Sequence, residues 1–429
     1  MKHAFFTVVT AIFAAVLISS CSEHSSADVV KNVSPLSDET SDIGESDTST
    51  DGNVFNFIKG FDASYVDWYE EKYNIRWKDT DGTEKDFLNI LKAHGVNTIR
   101  LRIWHNPGLY ADGINDGDNT LSRTINMAKR IKDAGLDLML DFHYSDTWAD
   151  PGRQIVPQEW ESLKSVTAIA KALSQYTTSV LNEIKTQAGT VPKYVQVGNE
   201  INRGLLVDKA TDYTDNNKHE RFKFAGRAYK DENETDFSTD TFTKYLKAGA
   251  DAVRAFDKSI NIVLHVASDG WHDWGWFFDP IKTAGVPFDV IGYSYYPWES
   301  GHGTIATLKK TIDRQIKKYG VKIIVAECSA HWHDDSGDGY AAQYNTYTHM
   351  LDPNTGSLYS DLTTADSGTV RYVCGTVANQ ANIIRHIIEE SRTAGAAGVF
   401  VWGGDLYGNY KWGMFDGEGK ALQSIKEFE

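Results

Sequence analysis

Two glutamates stand at the ends of strand-like segments and could together carry out acid–base and nucleophilic chemistry. VQVGNEI contains Asn199 and Glu200, and KIIVAE ends in Glu327. A buried carboxylate is costly unless a partner pairs with it. Glycosidic bonds are hydrolysed by such a pair, in which one carboxyl donates a proton and the other, ionised, attacks the anomeric carbon. Asn199 can hold a sugar hydroxyl nearby, and Arg100 can keep Glu327 ionised because a nearby cation lowers a carboxylate's pKa.

Other polar and aromatic residues stand at or just beyond the ends of similar apolar segments. Taken singly, each has an ordinary explanation, such as a satisfied core histidine or a helix-capping carboxylate. Their recurrence at one kind of position favours a shared cleft. We predict that these side chains bind substrate: Asp62, Arg100, His143, Asp146, Trp148, Asn199, His265, Tyr295, Tyr296, Trp298, His331, Trp332 and Trp402.

The elements that must position these residues follow a recurring local pattern. A helix-like segment ends near a glycine, and a short β-branched run follows at once. Glycine just past a helix end adopts the left-handed conformation at low cost. The runs are almost continuously apolar, which is typical of strands buried on both faces of a parallel sheet. The glycines of this pattern are Gly95, Gly135, Gly285, Gly320 and Gly395.

Eight such strands alternate with amphipathic segments. The strands are expected at residues 54–61, 96–103, 136–143, 194–197 and 260–266, and in the runs that end at Tyr296, Glu327 and Trp402. Helices are expected at residues 121–134, 166–184, 245–256, 305–318 and 381–392. This order predicts an α/β fold, a (β/α)8 TIM barrel in one domain, whose site lies at the carboxyl ends of the strands. An open doubly wound sheet is the alternative, but no Gly-rich phosphate turn follows the first strand.

Two segments are longer than the loops of a compact barrel, and each follows a strand that ends in one of the two glutamates. They cover residues 205–239 and 333–377. Long loops without periodicity are usually functional or mobile. We expect both to form walls of the cleft.

Composition excludes some partners and leaves others open. The 429 residues carry a net charge of -16 without a basic cluster, which argues against a nucleic-acid partner. The 12 Trp and 21 Tyr indicate either a large core or a cleft in which rings stack on sugars. The three cysteines have neither metal-type spacing nor a disulfide framework, and one bridge between Cys328 and Cys374 is left open.

The N-terminus has the layout of a secretion signal. Lys2 precedes an apolar run over residues 5–18, which is too short to cross a bilayer. The following ISSC resembles a bacterial lipobox, so we expect a lipid anchor on Cys21; an ordinary signal peptide is the alternative. We predict a monomeric lipoprotein of a Gram-negative outer membrane, and the sequence leaves open whether it faces the cell surface or the periplasm. Its parts are a signal peptide (1–21), a flexible Ser/Asp/Thr-rich tether (22–53) and a catalytic domain (54–429).

Several motifs together resemble the glycoside hydrolase family 53 endo-β-1,4-galactanases from about residue 54 onward. They are GFDASYV, GVNTIRLRIWHNP, DFHYSDTWADPGRQ, VGNEI, IGYSYYPW, VAECSAHW and the closing WG…KWGMFD…GKALQSIKEF. DFHYSDTWADP is very specific, whereas NE is shared by a whole clan. The resemblance implies a retaining endo-hydrolase of the β-1,4-galactan in type I arabinogalactan, which needs no cofactor. It implies Glu200 as acid/base and Glu327 as nucleophile.

The resemblance also suggests which residues shape the reacting subsite. The wider clan uses an Arg on the second strand, an Asn before the acid/base, a Tyr on the sixth strand and a Trp on the eighth. The matching residues here are Arg100, Asn199, either Tyr295 or Tyr296, and Trp402.

A calcium site is a further implication of the resemblance. Some bacterial members bind calcium in the loop after the seventh strand, where this chain reads HDDSGDGYAAQ. Asp338 fits, but three other expected ligand positions hold Ser, Tyr and Ala. Asp334 and Asp335 could compensate, since calcium takes six to eight oxygen ligands. A solvated acidic loop is the alternative.

Two rival functions remain at this point. Another endo-hydrolase of the clan, such as a β-mannanase or a cellulase, would use the same glutamate pair. A surface glycan-binding lipoprotein without catalysis would share the tether and the aromatic cleft. The natural signature of such a binding protein is the loss of one glutamate, and both are present.

Overall fold

Eight parallel strands close into a barrel. The computed structural model describes residues 56–109, 119–230, 238–267, 273–297, 302, 305–333, 342–344, 371–373, 376–408 and 410–429. The barrel strands are β1 (Ile58–Asp62), β2 (Thr98–Ile103), β3 (Asp137–Phe142), β4 (Tyr194–Val197), β5 (Asn261–Ala267), β6 (Val290–Ser294), β7 (Lys322–Cys328) and β8 (Gly398–Val401). β1 pairs with both β2 and β8 and so closes the ring. The predicted (β/α)8 barrel is confirmed, and the open sheet is excluded.

Helices follow the strands on the outside of the barrel. They are α1 (Val66–Tyr73), α2 (Phe87–Ala93), α3 (Leu121–Ala134), α4 (Val166–Glu183), α5 (Asp240–Phe256), α6 (Gly275–Thr283), α7 (Ile305–Tyr319) and α8 (Val377–Thr393). A 3₁₀ helix, Gln423–Phe428, follows β8. α8 begins four residues before its predicted start because the hydroxyl of Thr376 accepts a hydrogen bond from the amide of Asn379 at 3.1 Å and caps the helix.

The helix-ending glycines behave as the sequence predicts. All five have positive φ, from 65° at Gly320 to 95° at Gly95. The turn from each helix into the next strand is therefore made by the residue type that adopts this conformation most easily.

The barrel interior has an apolar floor and a polar top. Phe400 extends over Gly60, where an added Cβ would lie 2.2 Å from the Phe400 ring. Above this layer, polar side chains face inward at the carboxyl ends of the strands. The apolar cluster consists of Ile58, Met139, Tyr194, Val263, Val290, Ile324, Ala326, Ala397 and Phe400.

The insertion after β4 is more ordered than its sequence indicates. Gly204–Leu205 pairs with Gly226–Arg227, and Asp208–Ala210 pairs with His219–Arg221. The backbone amide of Val156 donates to the carbonyl of Asp208 at 2.8 Å, which joins the insertion to the loop after β3. In the later insertion, Ala342–Tyr344 pairs with Arg371–Val373.

Phe57–Glu429 form one compact unit. Among the helices that the structure describes, none is long and apolar enough to cross a membrane. Within the described residues Cys328 is a buried free thiol, and Cys374, its candidate bridge partner, lies outside them. The predicted signal peptide and tether also lie outside them, so those boundaries stay predictions.

Candidate active site

Arg100 is the centre of the polar layer. It lies on β2 with a side chain that is 1% exposed. Its guanidinium makes charged or polar contacts with four groups, which lie on β1, on β3, just after β4 and on β7. They are Glu327 at 2.9 Å, Asp62 at 3.2 Å, Asp141 at 2.8 Å and Asn199 at 2.8 Å. Three carboxylates and an amide oxygen thus surround the two terminal nitrogens of this buried cation, as a buried charge requires, while its Nε has no hydrogen-bond partner among the described residues.

Glu327 reaches this layer through a β-bulge in β7. Val325 pairs with Tyr293 of β6, but the next pairing joins Glu327 to Ser294, so Ala326 is an extra residue. Without the bulge, strict alternation would turn Glu327 away from the interior. One carboxylate oxygen of Glu327 meets Arg100 at 2.9 Å, and the other accepts a hydrogen bond from the hydroxyl of Tyr296 at 2.7 Å.

Glu200 is positioned by an unusual backbone at the end of β4. Gly198 has φ 88°, and a Cβ there would lie 2.6 Å from the side chain of Ile201. Glu200 itself is left-handed, with φ 46° and ψ 55°. Such conformations in non-glycine residues tend to occur at functional sites. The hydroxyl of Ser294 donates to Oε1 of Glu200 at 2.6 Å.

His265 links the two halves of the polar layer. Its Nδ1 lies 2.9 Å from Oδ1 of Asn199, and its Nε2 lies 2.9 Å from the hydroxyl of Ser294. Burial lowers the pKa of His265 well below its ordinary value, and the charge of Arg100 lowers it further. A neutral histidine therefore connects the group around Arg100 to Glu200.

The two glutamates titrate differently. Burial raises the pKa of Glu200 well above its ordinary value, and the charge of Glu327 raises it further. Burial also raises the pKa of Glu327, but the charge of Arg100 and the hydrogen bond from Tyr296 oppose that rise. The sequence argument considered the cation alone, so it missed that burial outweighs it. Glu327 is still the carboxyl that ionises first.

The structure decides between the two tyrosines after β6. The hydroxyl of Tyr296 bonds to Glu327. Tyr295 is fully buried in the apolar shell outside the barrel, so the prediction that it lines the cleft is wrong. The physical reason is alternation, since Ser294 and Tyr296 face inward and the residue between them must face outward.

Aromatic side chains wall the cleft. Trp148 and Trp402 are half-buried, and their rings meet nearly perpendicular with centroids 6.3 Å apart. Trp402 also contacts Tyr296 at 6.3 Å and Trp412 at 6.0 Å. The guanidinium carbon of Arg102 lies 4.6 Å from the Trp148 ring centroid, which fixes this ring from behind.

Several predicted binding residues have their polar groups engaged within the protein. Asp146 accepts backbone amides from Asn106 and Gln158, both at 2.8 Å, and so orders the loop after β3. Asn199 donates to the carbonyl of Ala149 at 2.8 Å. These side chains position the cleft from behind its surface.

The polar groups of four more predicted binding residues are also engaged within the protein: those of Asp62, His143, His331 and Trp332. Nδ1 of His143 accepts from the Trp104 indole at 3.0 Å and from the Ala149 amide at 3.1 Å, so the proton is on Nε2, 3.2 Å from Asp141. Asp62 accepts from Arg100, Arg102 and Ser64. His331 accepts from the Trp412 indole, and Trp332 donates to the carbonyl of Tyr410 at 2.8 Å.

Sequence reasoning missed three polar residues of the layer. Asp141, Gln196 and Ser294 are fully buried on the inner faces of β3, β4 and β6. The amide of Gln196 donates to Asp141 at 2.6 Å. The available signal was period-two alternation, because each is a polar residue at an inward position of an otherwise apolar strand.

Some predicted site residues lie outside the described residues. They are Trp298 and the candidate calcium ligands Asp334, Asp335 and Asp338. Within the described ranges, no group of three or more His, Cys, Asp or Glu side chains could hold a metal ion.

Comparison with known proteins agrees with this architecture. The model of glycosyl hydrolase family 53 matches residues 58–428. An endo-beta-1,4-galactanase of Bacillus subtilis is 30% identical over 396 residues, which cover 91% of this chain and 79% of the relative. An arabinogalactan endo-beta-1,4-galactanase of Thermothelomyces thermophilus is 34% identical over 277 residues, 61% of this chain and 72% of the relative.

A solved structure extends the comparison to three dimensions. The family 53 catalytic domain of Ignisphaera aggregans has a TM-score of 0.66 and 30% identity, and covers 88% of this chain and 97% of that domain. The resemblance seen in the sequence motifs is confirmed, and the chain belongs to glycosyl hydrolase family 53.

Proposed function

We propose that this protein is a retaining endo-β-1,4-galactanase that cleaves internal bonds of the galactan in type I arabinogalactan. Glu200 is the acid and base, and Glu327 is the nucleophile. The observation that carries the proposal is the difference in their hydrogen-bond donors. Glu327 receives a cation, Arg100, and a phenol, whereas Glu200 receives the neutral hydroxyl of Ser294. The first arrangement favours an ionised carboxylate and the second tolerates a protonated one.

In the first step, a carboxylate oxygen of Glu327 bonds to the anomeric carbon and the bond to the leaving oxygen breaks. Glu200 gives its proton to that oxygen, because a sugar alkoxide is a poor leaving group. The Ser294 hydroxyl occupies Oε1 of Glu200, which leaves Oε2 to carry the proton toward the substrate. Arg100 and Tyr296 hold both oxygens of Glu327 and so fix its orientation.

In the second step Glu200 acts as a base. Formation of the glycosyl ester neutralises Glu327, and its charge is one cause of the raised pKa of Glu200. The pKa of Glu200 therefore falls, and the ionised carboxylate takes a proton from water. The water oxygen bonds to the anomeric carbon as the bond to Glu327 breaks. Two inversions retain the β configuration.

Closeness of the two carboxyls supports the retaining course. Ser294, whose hydroxyl donates to Glu200 at 2.6 Å, is also the residue that pairs with Glu327 across β6 and β7, so the two carboxyls lie near each other. Retaining glycosidases hold their carboxyls about 5–5.5 Å apart, whereas inverting ones leave room for a water.

The choice of galactan rests on the relatives and on the aromatic wall. The named relatives are galactanases. The axial 4-hydroxyl of galactose leaves one ring face lined by C–H groups. The half-buried rings of Trp148 and Trp402 offer flat apolar surfaces on which such a face can stack.

Hydrolysis of three polysaccharides tests the proposal. We expect new reducing ends from β-1,4-galactan, and not from mannan or carboxymethyl cellulose. The first product seen by NMR should be the β anomer, and Glu327→Gln should release nothing. Cleavage of mannan or cellulose in place of galactan would contradict the substrate, and an α anomer would contradict retention. Galactan binding without cleavage would favour a glycan-binding protein instead.

We also propose that the protein is a monomeric lipoprotein anchored through Cys21 in the outer membrane of a Gram-negative bacterium. The support is the ISSC sequence after the apolar run at residues 5–18. Cys21→Ala should move the protein to the soluble fraction, while Ser22→Ala should leave it with the membrane. A membrane-bound Cys21→Ala variant would contradict the anchor, and light scattering of the released form should give the mass of one chain.

No cofactor takes part in the proposed chemistry. We propose that Asp334, Asp335 and Asp338 bind a structural calcium ion; the support is that Asp338 fits the expected ligand pattern and that the other two could replace the missing oxygen ligands. Removing calcium with a chelator should then lower the melting temperature, and adding calcium should restore it. A melting temperature that does not change with calcium would support the alternative of a solvated acidic loop.

A further inference from the structure

A row of aromatic rings leads from the cleft to the protein surface. Trp402 contacts Trp148 with ring centroids 6.3 Å apart, and Trp148 contacts Tyr65 at 6.4 Å. The row continues from Tyr65 to Tyr69 at 5.6 Å and from Tyr69 to Tyr73 at 6.0 Å. The cleft wall and the surface are thus joined by ring-to-ring contacts without a break.

The outer part of this row is a ridge on α1. Tyr65, Tyr69 and Tyr73 are four residues apart, which places them on one face of the helix over a rise of about 12 Å. Tyr407, from the segment after β8, contacts Tyr69 at 6.1 Å and Tyr73 at 5.9 Å. Tyr65 is buried beneath Arg102 and joins the row to Trp148, so we call the three outer residues, Tyr69, Tyr73 and Tyr407, the tyrosine ridge. Its outer end is open to solvent, since Tyr73 is 41% exposed.

The ridge is held rigidly from the other side of α1. Arg123 pairs with Asp67 at 2.9 Å, and Arg130 pairs with Glu70 at 2.7 Å. Glu70 also accepts from the indole of Trp77 at 2.9 Å. Two arginines of α3 therefore fix the polar face of α1 and leave the tyrosines directed away from it. A preorganised surface loses little conformational freedom when it binds a ligand.

The chemistry of the ridge suits a polysaccharide. Tyrosine combines a flat apolar ring with a hydroxyl, which matches a sugar that has both a C–H face and polar edges. The ammonium of Lys72 lies 4.2 Å from the Trp68 ring centroid and 5.9 Å from that of Tyr73, so a hydrogen-bond donor stands beside the rings. A sugar chain that reaches the ridge would therefore find stacking surfaces and a donor side by side.

We propose that the tyrosine ridge binds the segment of a galactan chain on the non-reducing side of the cleaved bond. This inference rests on the proposed function. The acid, Glu200, must face the leaving sugar, which is on the reducing side, and it follows β4. The ridge is carried by segments after β1 and β8, which lie across the ring from β4. Substrate that extends away from the acid therefore passes toward the ridge.

Binding of short and long oligosaccharides tests the ridge. In a Glu200→Gln background, which cannot turn over, galactohexaose should bind more tightly than galactotriose by calorimetry. Adding Tyr73→Ala or Tyr407→Ala should each lower the affinity for galactohexaose by about 2- to 10-fold and the affinity for galactotriose much less. Phe256→Ala is the matched control, because Phe256 is a half-buried ring at the carboxyl end of α5, at the opposite end of the barrel from the cleft. It should change neither affinity.

The outcomes separate the ridge from the proposed function. If the double Tyr73→Ala/Tyr407→Ala variant binds galactohexaose as tightly as its parent, the ridge is not a binding site. Galactan hydrolysis by the wild type would still support the proposed galactanase function in that case. A wild type that neither binds nor cleaves galactan would overturn both. Melting curves check folding, and the exposed position of Tyr73 predicts no change in its variant.

Discussion

The two glutamates at the mouth of the barrel are both withdrawn from solvent, Glu327 buried and Glu200 half-buried, but they have different neighbours. Glu327 lies against Arg100 and the Tyr296 phenol, whereas Glu200 lies against Ser294, which is joined to a neutral His265. Burial raises the pKa of both carboxyls. The separation of the two pKa values therefore comes from their partners, and each partner can be removed singly.

Removing the cation should have the largest effect on this contrast. Arg100→Met would leave the carboxylates of Asp141 and Glu327 buried without their cation, while Asp62 would keep Arg102. Loss of one partner of a buried pair costs about 3–5 kcal/mol, so urea titration should show an unfolding free energy lower by about that much. Arg100→Met should also hydrolyse galactan more slowly than any other single variant of the polar layer, apart from variants of the two glutamates.

Arg102→Met is the matched control for this prediction. Arg102 lies on the same strand and the same face, and it contacts Asp62 at 3.3 Å without reaching Glu327. Its removal should also lower stability but should reduce kcat far less. Equal losses of kcat in the two variants would mean that general destabilisation, and not the charge beside Glu327, explains the effect.

A smaller change removes the phenol from the Glu327 side. The Tyr296 hydrogen bond lowers the pKa of Glu327, so Tyr296→Phe should raise that pKa. Activity needs ionised Glu327, and the acid limb of the kcat/KM profile should therefore move to higher pH. Because the lost hydrogen bond is made to a charged group, Tyr296→Phe should also hydrolyse galactan about 10- to 100-fold more slowly.

Tyr295→Phe provides the control in the adjacent residue. Its hydroxyl has no hydrogen-bond partner among the described residues and lies outside the barrel. Neither limb of the profile should move. An acid limb that shifts in Tyr295→Phe, or stays fixed in Tyr296→Phe, would contradict the assignment of Tyr296 to Glu327.

The smallest effect is expected on the Glu200 side. The Ser294 hydrogen bond lowers the pKa of Glu200, so Ser294→Ala should raise it and move the basic limb to higher pH. Because Glu200 is neutral when the first step begins, the rate at the optimum should fall only about 2- to 10-fold. Ser329→Ala, another fully buried serine, is the control and should leave the basic limb in place. Movement of the acid limb in Ser294→Ala would reverse the proposed roles.

The sequence predicts the barrel well because its signals are local. Apolar runs, capping glycines and amphipathic stretches each depend on a few neighbouring residues, and they placed the eight strands and five of the helices. The pairing of Arg100 with Glu327 was also predictable, since both stand at strand ends that meet at one face of a barrel.

The contacts within the site could not be predicted in the same way. The bulge in β7 turns Glu327 inward, and no local sequence signal marks it. Strict alternation around Ala326 would have placed this glutamate outside. The use of Asp146 as a loop anchor depends on amides that lie 40 residues before it and 12 residues after it in the chain. Such long-range hydrogen bonds appear only once the fold is known.

The most direct test of the two roles is the reaction of alanine variants with an activated substrate and azide. An aryl β-galactoside with an acidic phenol, long enough to fill the cleft, needs no acid. Glu200→Ala should release a burst of phenol, then turn over slowly, and azide should speed turnover and yield the β-galactosyl azide. Glu327→Ala should show no burst and should yield at most the α-galactosyl azide. An exchange of these behaviours between the variants would contradict the account.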